Sequence, residues 1–322
     1  MSLYRRALPQ LSSRLFLTDG GLETTLVFHQ QIDLPYFAAF DLLKTDVGYQ
    51  RIKAYYRKYA AIAQNNGLGF VLESPTWRAS RDWGEKLGYD AGSLAQANRK
   101  AINLLTEIRG ELAGYDSPLV ISGCLGPRGD GYQPGHTMTI EEAEAYHRVQ
   151  IAVFSDTEAD MVSAMTLNYV EEAIGICRAA RAHDMPVVIS FTVETDGRLP
   201  TGQNLGDAIE TVDRETGNTP IYYMINCAHP THFEQAIARG ETWVQRVHSV
   251  RANASQCSHA ELDAATELDA GNPDELGQQY RALMGKMPNL RILGGCCGTD
   301  HRHIEAIVHQ CHPGTAAITG TK

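Results

Sequence analysis

The chain has 322 residues, 43% apolar and 20% charged, and its 28 basic and 38 acidic side chains give a formal net charge of −10. This composition excludes a disordered chain, and the acidic balance lacks the basic footprint of a nucleic-acid binder. No run reaches the ~18 consecutive apolar residues of a membrane span, and residues 1–6 carry positive charge with no apolar stretch behind them, so neither a membrane partner nor a secretory leader is expected.

Taken in chain order, short β-branched and apolar runs predict strands at 15–18, 69–72, 119–122, 161–166, 187–192, 221–226, 249–253 and 291–294. Between the first two, Ile52, Tyr55, Tyr59 and Ile62 recur at helical steps, predicting a helix over 45–66 that Gly67 stops. After the third, Thr139-Ile140-Glu141-Glu142 reads as a capping box opening a helix that runs past Phe154. Further helices are predicted over 168–183, from a second capping box at Thr231-His232-Phe233-Glu234, over 273–286 and over 300–309. Eight strand–helix alternations without a composition break predict an α/β fold, a single-domain (β/α)8 TIM barrel over 1–322. An open doubly wound sheet is the weaker alternative, because Asp19-Gly20-Gly21-Leu22-Glu23-Thr24 after the first strand is not the G-x-G-x-x-G phosphate loop. Gly- and Pro-containing stretches at 126–135 and 196–206 read as long loops at strand carboxyl ends, where a barrel builds its active site.

Seven cysteines, two of them adjacent, do not resemble an extracellular disulfide framework and suit a reducing, cytoplasmic compartment. The adjacent pair, Cys296 and Cys297, ends the eighth strand between glycines that let the backbone leave strand geometry, so both sulfurs can turn inward. Cys227 ends the sixth strand and faces the same mouth in a barrel. Three thiolates with one open position make a reasonable catalytic Zn2+ site. Three other readings stay open here: buried apolar cysteines, as for Cys177 and Cys311; a 296–297 disulfide; and a closed four-cysteine site completed by Cys124 or Cys257. His229, His232, His301 and His303 fall at helix starts and are assigned no ligand role.

Gly-Gly-Cys-Cys-Gly-Thr at 294–299, with Asn226-Cys227 and Thr18-Asp19-Gly20-Gly21, resembles the homocysteine S-methyltransferase family. Supporting segments are Gly126-Pro127, Val170-Glu171-Glu172-Ala173, Ser190-Phe191-Thr192 and Asp196-Gly197-Arg198-Leu199, so the resemblance extends over nearly the whole chain. It implies a (β/α)8 barrel with Zn2+ on Cys227, Cys296 and Cys297. Asp19 would meet a substrate amino group, and the amides around Gly20, Gly21 and Leu22 its carboxylate. The reaction implied is transfer of a methyl group from a sulfonium or ammonium donor to a small-molecule thiol acceptor held as thiolate, homocysteine giving methionine.

The sequence departs from the family pattern on the pocket wall. Met165 stands where the family carries a Glu for the amino group, and Glu73, at the end of the second strand, is the candidate replacement. Trp77 and Arg78 stand where Tyr-Gln is more usual. Trp77 reads as a rim aromatic or as core, and Arg78 as a residue able to take an anion bidentately. Strand seven reads Arg251-Ala252-Asn253-Ala254, retaining Asn253 as a pocket candidate beside Asn226. These departures keep a second hypothesis, related alkyl-transfer or lyase chemistry on a different small thiol. A third is a non-catalytic zinc- or redox-sensing protein. With no appended cobalamin or folate module in 322 residues, an S-methylmethionine-like donor is expected ahead of a betaine-type one. A homo-oligomer is left open.

Overall fold

The computed structural model describes residues 2–237 and 241–312. Eight parallel strands close into a barrel in sequence order: β1 (Phe16–Leu17), β2 (Gly69–Glu73), β3 (Leu119–Leu125), β4 (Met161–Leu167), β5 (Val187–Phe191), β6 (Tyr222–Asn226), β7 (Val247–Ala252) and β8 (Ile292–Gly295). β1 pairs with β8 through Phe16↔Ile292 and Leu17↔Leu293, which closes the ring. The helices are α1 (Leu22–Thr24), α2 (Asp46–Asn65), α3 (Arg81–Lys86), α4 (Ala91–Glu111), α5 (Ile140–Ser155), α6 (Val170–Ala182), α7 (Leu205–Thr216), α8 (Pro230–Phe233), α9 (His259–Ala264), α10 (Pro273–Lys286) and α11 (His301–Cys311). No described helix is long and apolar enough to cross a membrane.

The near-continuous apolar strands have a direct cause. Neighbouring residues alternate between the barrel interior and the helix layer, and both sides are dry. Phe16, Val71, Val120, Met161, Val188 and Ile292 fill the interior. Leu17, Phe70, Leu72, Ile121, Val162 and Leu293 pack outward against the helices.

The amino end of the barrel is plugged by the chain itself. Leu8 joins the interior cluster, and Tyr4 packs against it. The buried carboxylate of Asp160 accepts from the amides of Leu3 (2.9 Å) and Tyr4 (2.7 Å) with Oδ1, and from Arg109 (2.8 Å) and Ile121 N (2.9 Å) with Oδ2. Arg5 donates to the carbonyls of Ser155, Thr157 and Ala159, following the preference for cations at a helix carboxyl end.

The predicted cap of α5 is present in both halves. Glu142 N donates to Thr139 Oγ1 at 3.2 Å and Thr139 N to Glu142 Oε2 at 2.8 Å. The expectation that Thr231 caps a helix is corrected. α8 begins at Pro230, two residues earlier than a Thr231 cap would start it, and the fixed φ and missing N–H of proline suit a first helical position. The His229 ring accepts from Thr231 N in place of a hydroxyl cap. Two registers slip, between Ala164 and Leu167 on β4 and between Tyr223 and Met224 on β6. On β4 the slip coincides with Thr166 at φ 62°. Met165 and Thr166, adjacent in the chain, therefore both face the cavity described next.

Candidate metal centre

β6 delivers Cys227 and the turn after β8 delivers Cys296 and Cys297. Cys227 sits at φ 58°, a left-handed conformation that swings it off the strand line. Its backbone is fixed on both sides, with N donating to Arg251 O at 3.0 Å and O accepting from His259 Nε2 at 2.6 Å. The 296–297 turn needs glycine twice. Gly298 has φ 79°, and a Cβ on Gly295 would collide with Thr299 Oγ1. Thr299 closes the turn by donating from N (3.1 Å) and Oγ1 (2.7 Å) to Cys296 O.

As a result the Sγ of Cys227 lies 3.0 Å from that of Cys296 and 3.5 Å from that of Cys297. All three sulfurs fall within 4.8 Å of one another, and they are the one group of three or more potential metal ligands among the described residues. Tetrahedral zinc with ~2.3 Å bonds separates its sulfurs by about 3.8 Å, so the donor set fits the ion in type, and the sulfurs, at 3.0 and 3.5 Å, need only spread slightly to seat it. Cys296 is pulled well below the ordinary thiol range by its hydrogen bonds with Cys227 and Cys297, while those two thiols are pushed up. The cysteines are free, which sets aside the 296–297 disulfide. Cys124 lies buried in the cavity wall outside the trio and Cys257 is exposed, so the closed four-cysteine site does not form. The nearby histidines are otherwise engaged: His232 with Gln256 O at 2.8 Å, and His303 with Asp300 Oδ1 at 3.1 Å and Ala270 O at 2.8 Å.

The sulfurs line a cavity of about 620 Å³ at the carboxyl end of the barrel. Asp19, Gly20, Gly21, Leu22, Glu73, Trp77, Asn226 and Asn253 line the same cavity. Their hydrogen bonds refine the expected roles. Asp19 is already committed, with Oδ1 to Arg251 Nη1 at 2.8 Å and Oδ2 to the Tyr55 hydroxyl at 3.0 Å. Gly21 N is spent on Thr299 O at 3.0 Å, so of the three expected amides this one is not free for a carboxylate. Asn226 braces β4 and β5: Oδ1 accepts from Thr166 N (2.8 Å) and Ser190 Oγ (2.5 Å), and Nδ2 donates to Thr166 Oγ1 (2.8 Å).

Glu73 accepts from Ser163 Oγ at 3.0 Å through Oε1, while its buried Oε2 has no partner. Burial pushes its carboxyl up to about 7, with Arg251 and the serines pulling the other way. Asn253 Oδ1 is likewise buried and unpartnered. Trp77 is half-buried: it packs against the barrel-interior cluster and also lines the cavity, its Nε1 donating to Met165 O at 3.4 Å.

Sequence reasoning missed the partners. Arg251 was visible only as a departure in strand seven. Tyr132, in the flagged 126–135 loop, brings its hydroxyl to 2.9 Å from Cys227 Sγ and stacks on His259 at 4.2 Å between ring centroids. Nothing local in the sequence pairs either with its target.

A family model described as Homocysteine S-methyltransferase matches residues 16–311. Methionine synthase of Mycobacterium leprae is 27% identical over 327 residues, covering 96% of this chain and 25% of that protein. Homocysteine S-methyltransferase 2 of Arabidopsis thaliana is 20% identical over 260 residues, covering 74% of this chain and 77% of its own. The chain spans a quarter or less of the methionine synthases it matches, 25% of the Mycobacterium leprae protein and 18% of the Mycobacterium tuberculosis one. Among solved structures, the homocysteine methyltransferase MmuM from Escherichia coli superposes with TM-score 0.74 in its oxidized form (19% identity, 95% of this chain and 98% of that one). Its metallated form gives TM-score 0.73 (19% identity, 95% and 99%). At that identity the likeness concerns the barrel.

Proposed function

The chain belongs to the homocysteine S-methyltransferase family, and from that premise we propose that it is a zinc-dependent S-methyltransferase. It moves a methyl group from a sulfonium or ammonium donor to a small thiol, homocysteine first among candidates. The observation that carries this reading is the convergence of Cys227, Cys296 and Cys297 at the floor of a ligand-sized cavity. Those three residues would hold the ion, and zinc, when bound, supplies the Lewis acidity that keeps an added thiol deprotonated at neutral pH.

The chain's own residues do the rest. His259 and Arg251 hold Cys227 by its backbone. With Asp19 paired to Arg251, Glu73, whose buried Oε2 has no partner, is the acid at the end of β2 able to meet a substrate ammonium. Met165 and Trp77 give the cavity an apolar and aromatic wall that keeps water from the reacting sulfur and can face a methylated cation. Metal analysis and a product assay test the reading together. The wild-type chain is expected to carry about one zinc and to form methionine from homocysteine with S-methylmethionine or betaine. Cys227→Ser is expected to lose both metal and activity, and a Cys227→Ser chain that keeps its zinc would overturn the assignment.

Met165 and the closed Asp19–Arg251 pair favour one second reading: the same alkyl transfer, or related lyase-type chemistry, on a thiol other than homocysteine. A screen of acceptor thiols separates the two. Turnover of another thiol with homocysteine inert favours the second.

A further inference from the structure

Arg78 leaves the end of β2 and enters the cavity wall, only 7% exposed. Its guanidinium carbon lies 3.9 Å from the ring centre of Trp77 and 3.8 Å from that of Trp83. Those rings hold the plane of the cation but accept none of its in-plane N–H groups. One donor is used, Nη1 to Gly129 O at 3.1 Å. Nη2 comes no closer than 4.0 Å to Asp130, a half-exposed carboxylate, and Nε is buried without a hydrogen-bond partner. Nε and Nη2 share one edge of the fork, where two N–H bonds run parallel and match the two oxygens of a carboxylate. Burial lowers the Arg78 pKa to about 10, which still leaves it charged at neutral pH.

A buried cation with its bidentate edge unspent is costly to keep unless a ligand completes it. The rest of the wall selects the ligand class. Besides Asp19, which Arg251 neutralises, Glu23, Glu73 and Asp269 line the cavity. A doubly charged phosphate would be repelled there, whereas a single carboxylate on a molecule bearing its own cationic centre would not.

We propose that Arg78 is a specificity-determining residue that takes the carboxylate of a zwitterionic substrate through its Nε–Nη2 edge. The proposal rests on the methyl-transfer reading for the identity of that zwitterion, since donor and acceptor can both carry a carboxylate.

The test is equilibrium binding to the full chain carrying its metal. The probes are S-methylmethionine and homocysteine, each against its own carboxamide. Binding is followed by calorimetry and by tryptophan emission, because two of the chain's three tryptophans touch Arg78. At least one carboxylate is expected to bind about tenfold or more tightly than its amide. Arg78→Gln should collapse that ratio, and Arg78→Lys, which keeps the charge without the fork, should restore part of it. The probe whose ratio collapses identifies the source, donor or acceptor. A ratio unchanged in Arg78→Gln, or no carboxylate preference in the wild type, overturns the proposal. If Arg78→Gln does not fold, Arg78→Lys decides: its ratio must fall. Methyl transfer is assayed separately. Turnover with an unchanged ratio removes the role of Arg78 and leaves the methyl-transfer reading standing, and a collapsed ratio without turnover does the reverse.

Discussion

Glu73 is one of two cavity carboxyls, with Glu23, that burial pushes up to about 7. Its pKa is pushed from 4.5 up to about 7 by burial, so the folded chain binds its proton more tightly than the unfolded chain does. The stability this contributes is complete below about pH 4.5 and is lost as pH rises through about 7. Glu73→Gln, neutral at every pH, is therefore expected to diverge from the wild type over that window. Urea unfolding without substrate should show the wild type losing up to about 3 kcal/mol relative to the variant between pH 4.5 and 8. Parallel curves would mean that Glu73 ionises as an ordinary surface acid. Residues such as Glu73 and Cys227 were legible because strand-end position alone makes an acid or thiol suspect in a barrel. The Asp19–Arg251 ion pair was not. Its members lie 232 positions apart, and only closure of β1 onto β8, with β7 alongside, brings them within 2.8 Å.

At the scale of elements, the turn after β8 shows how backbone geometry serves the metal site. Gly298, at φ 79°, would bring a Cβ to 2.7 Å from Asp269 O. Gly298→Ala should destabilise the chain by about 1–3 kcal/mol. It should also weaken zinc retention, because Cys296 and Cys297 are aimed by that turn; competition with a chromophoric chelator would measure this. A variant with unchanged metal affinity would show that the sulfurs hold their places without the turn. The long elements were legible wherever one physical signal dominated. α10 begins and ends where its Pro and Lys predicted, and α5 has the cap its Thr and Glu announced. The short ones escaped. At α8 a proline outcompeted the hydroxyl next to it, and the β4 slip follows from the backbone at Thr166, which no side-chain pattern encodes.

For the molecule as a whole, the three sulfurs come from two separated segments of one barrel, so an ion held by them would bind the folded chain and not the unfolded one. Dialysis against a chelator is expected to lower the thermal midpoint and zinc to restore it, with Cys227→Ser insensitive to both treatments. A chelator-insensitive wild type would argue that the site adds nothing to stability. The architecture itself was legible because a parallel barrel covered by helices leaves its mark in every strand as an apolar run, whereas the direction each cavity side chain faces depends on partners the run does not name.

The plug at the amino end has a consequence for traffic. Asp160, Arg5 and the chain around Leu8 stop up the bottom of the barrel. The cavity over the cysteines opens at the other end, where exposed Tyr36, Phe37, Asp130, Asp263, Ala265 and Glu267 are among the residues that line it. With entry from that end, whatever lodges deepest must arrive before its co-substrate and depart after it. Such a vessel favours an ordered queue through a ternary complex over a shuttle in which each reactant calls in turn.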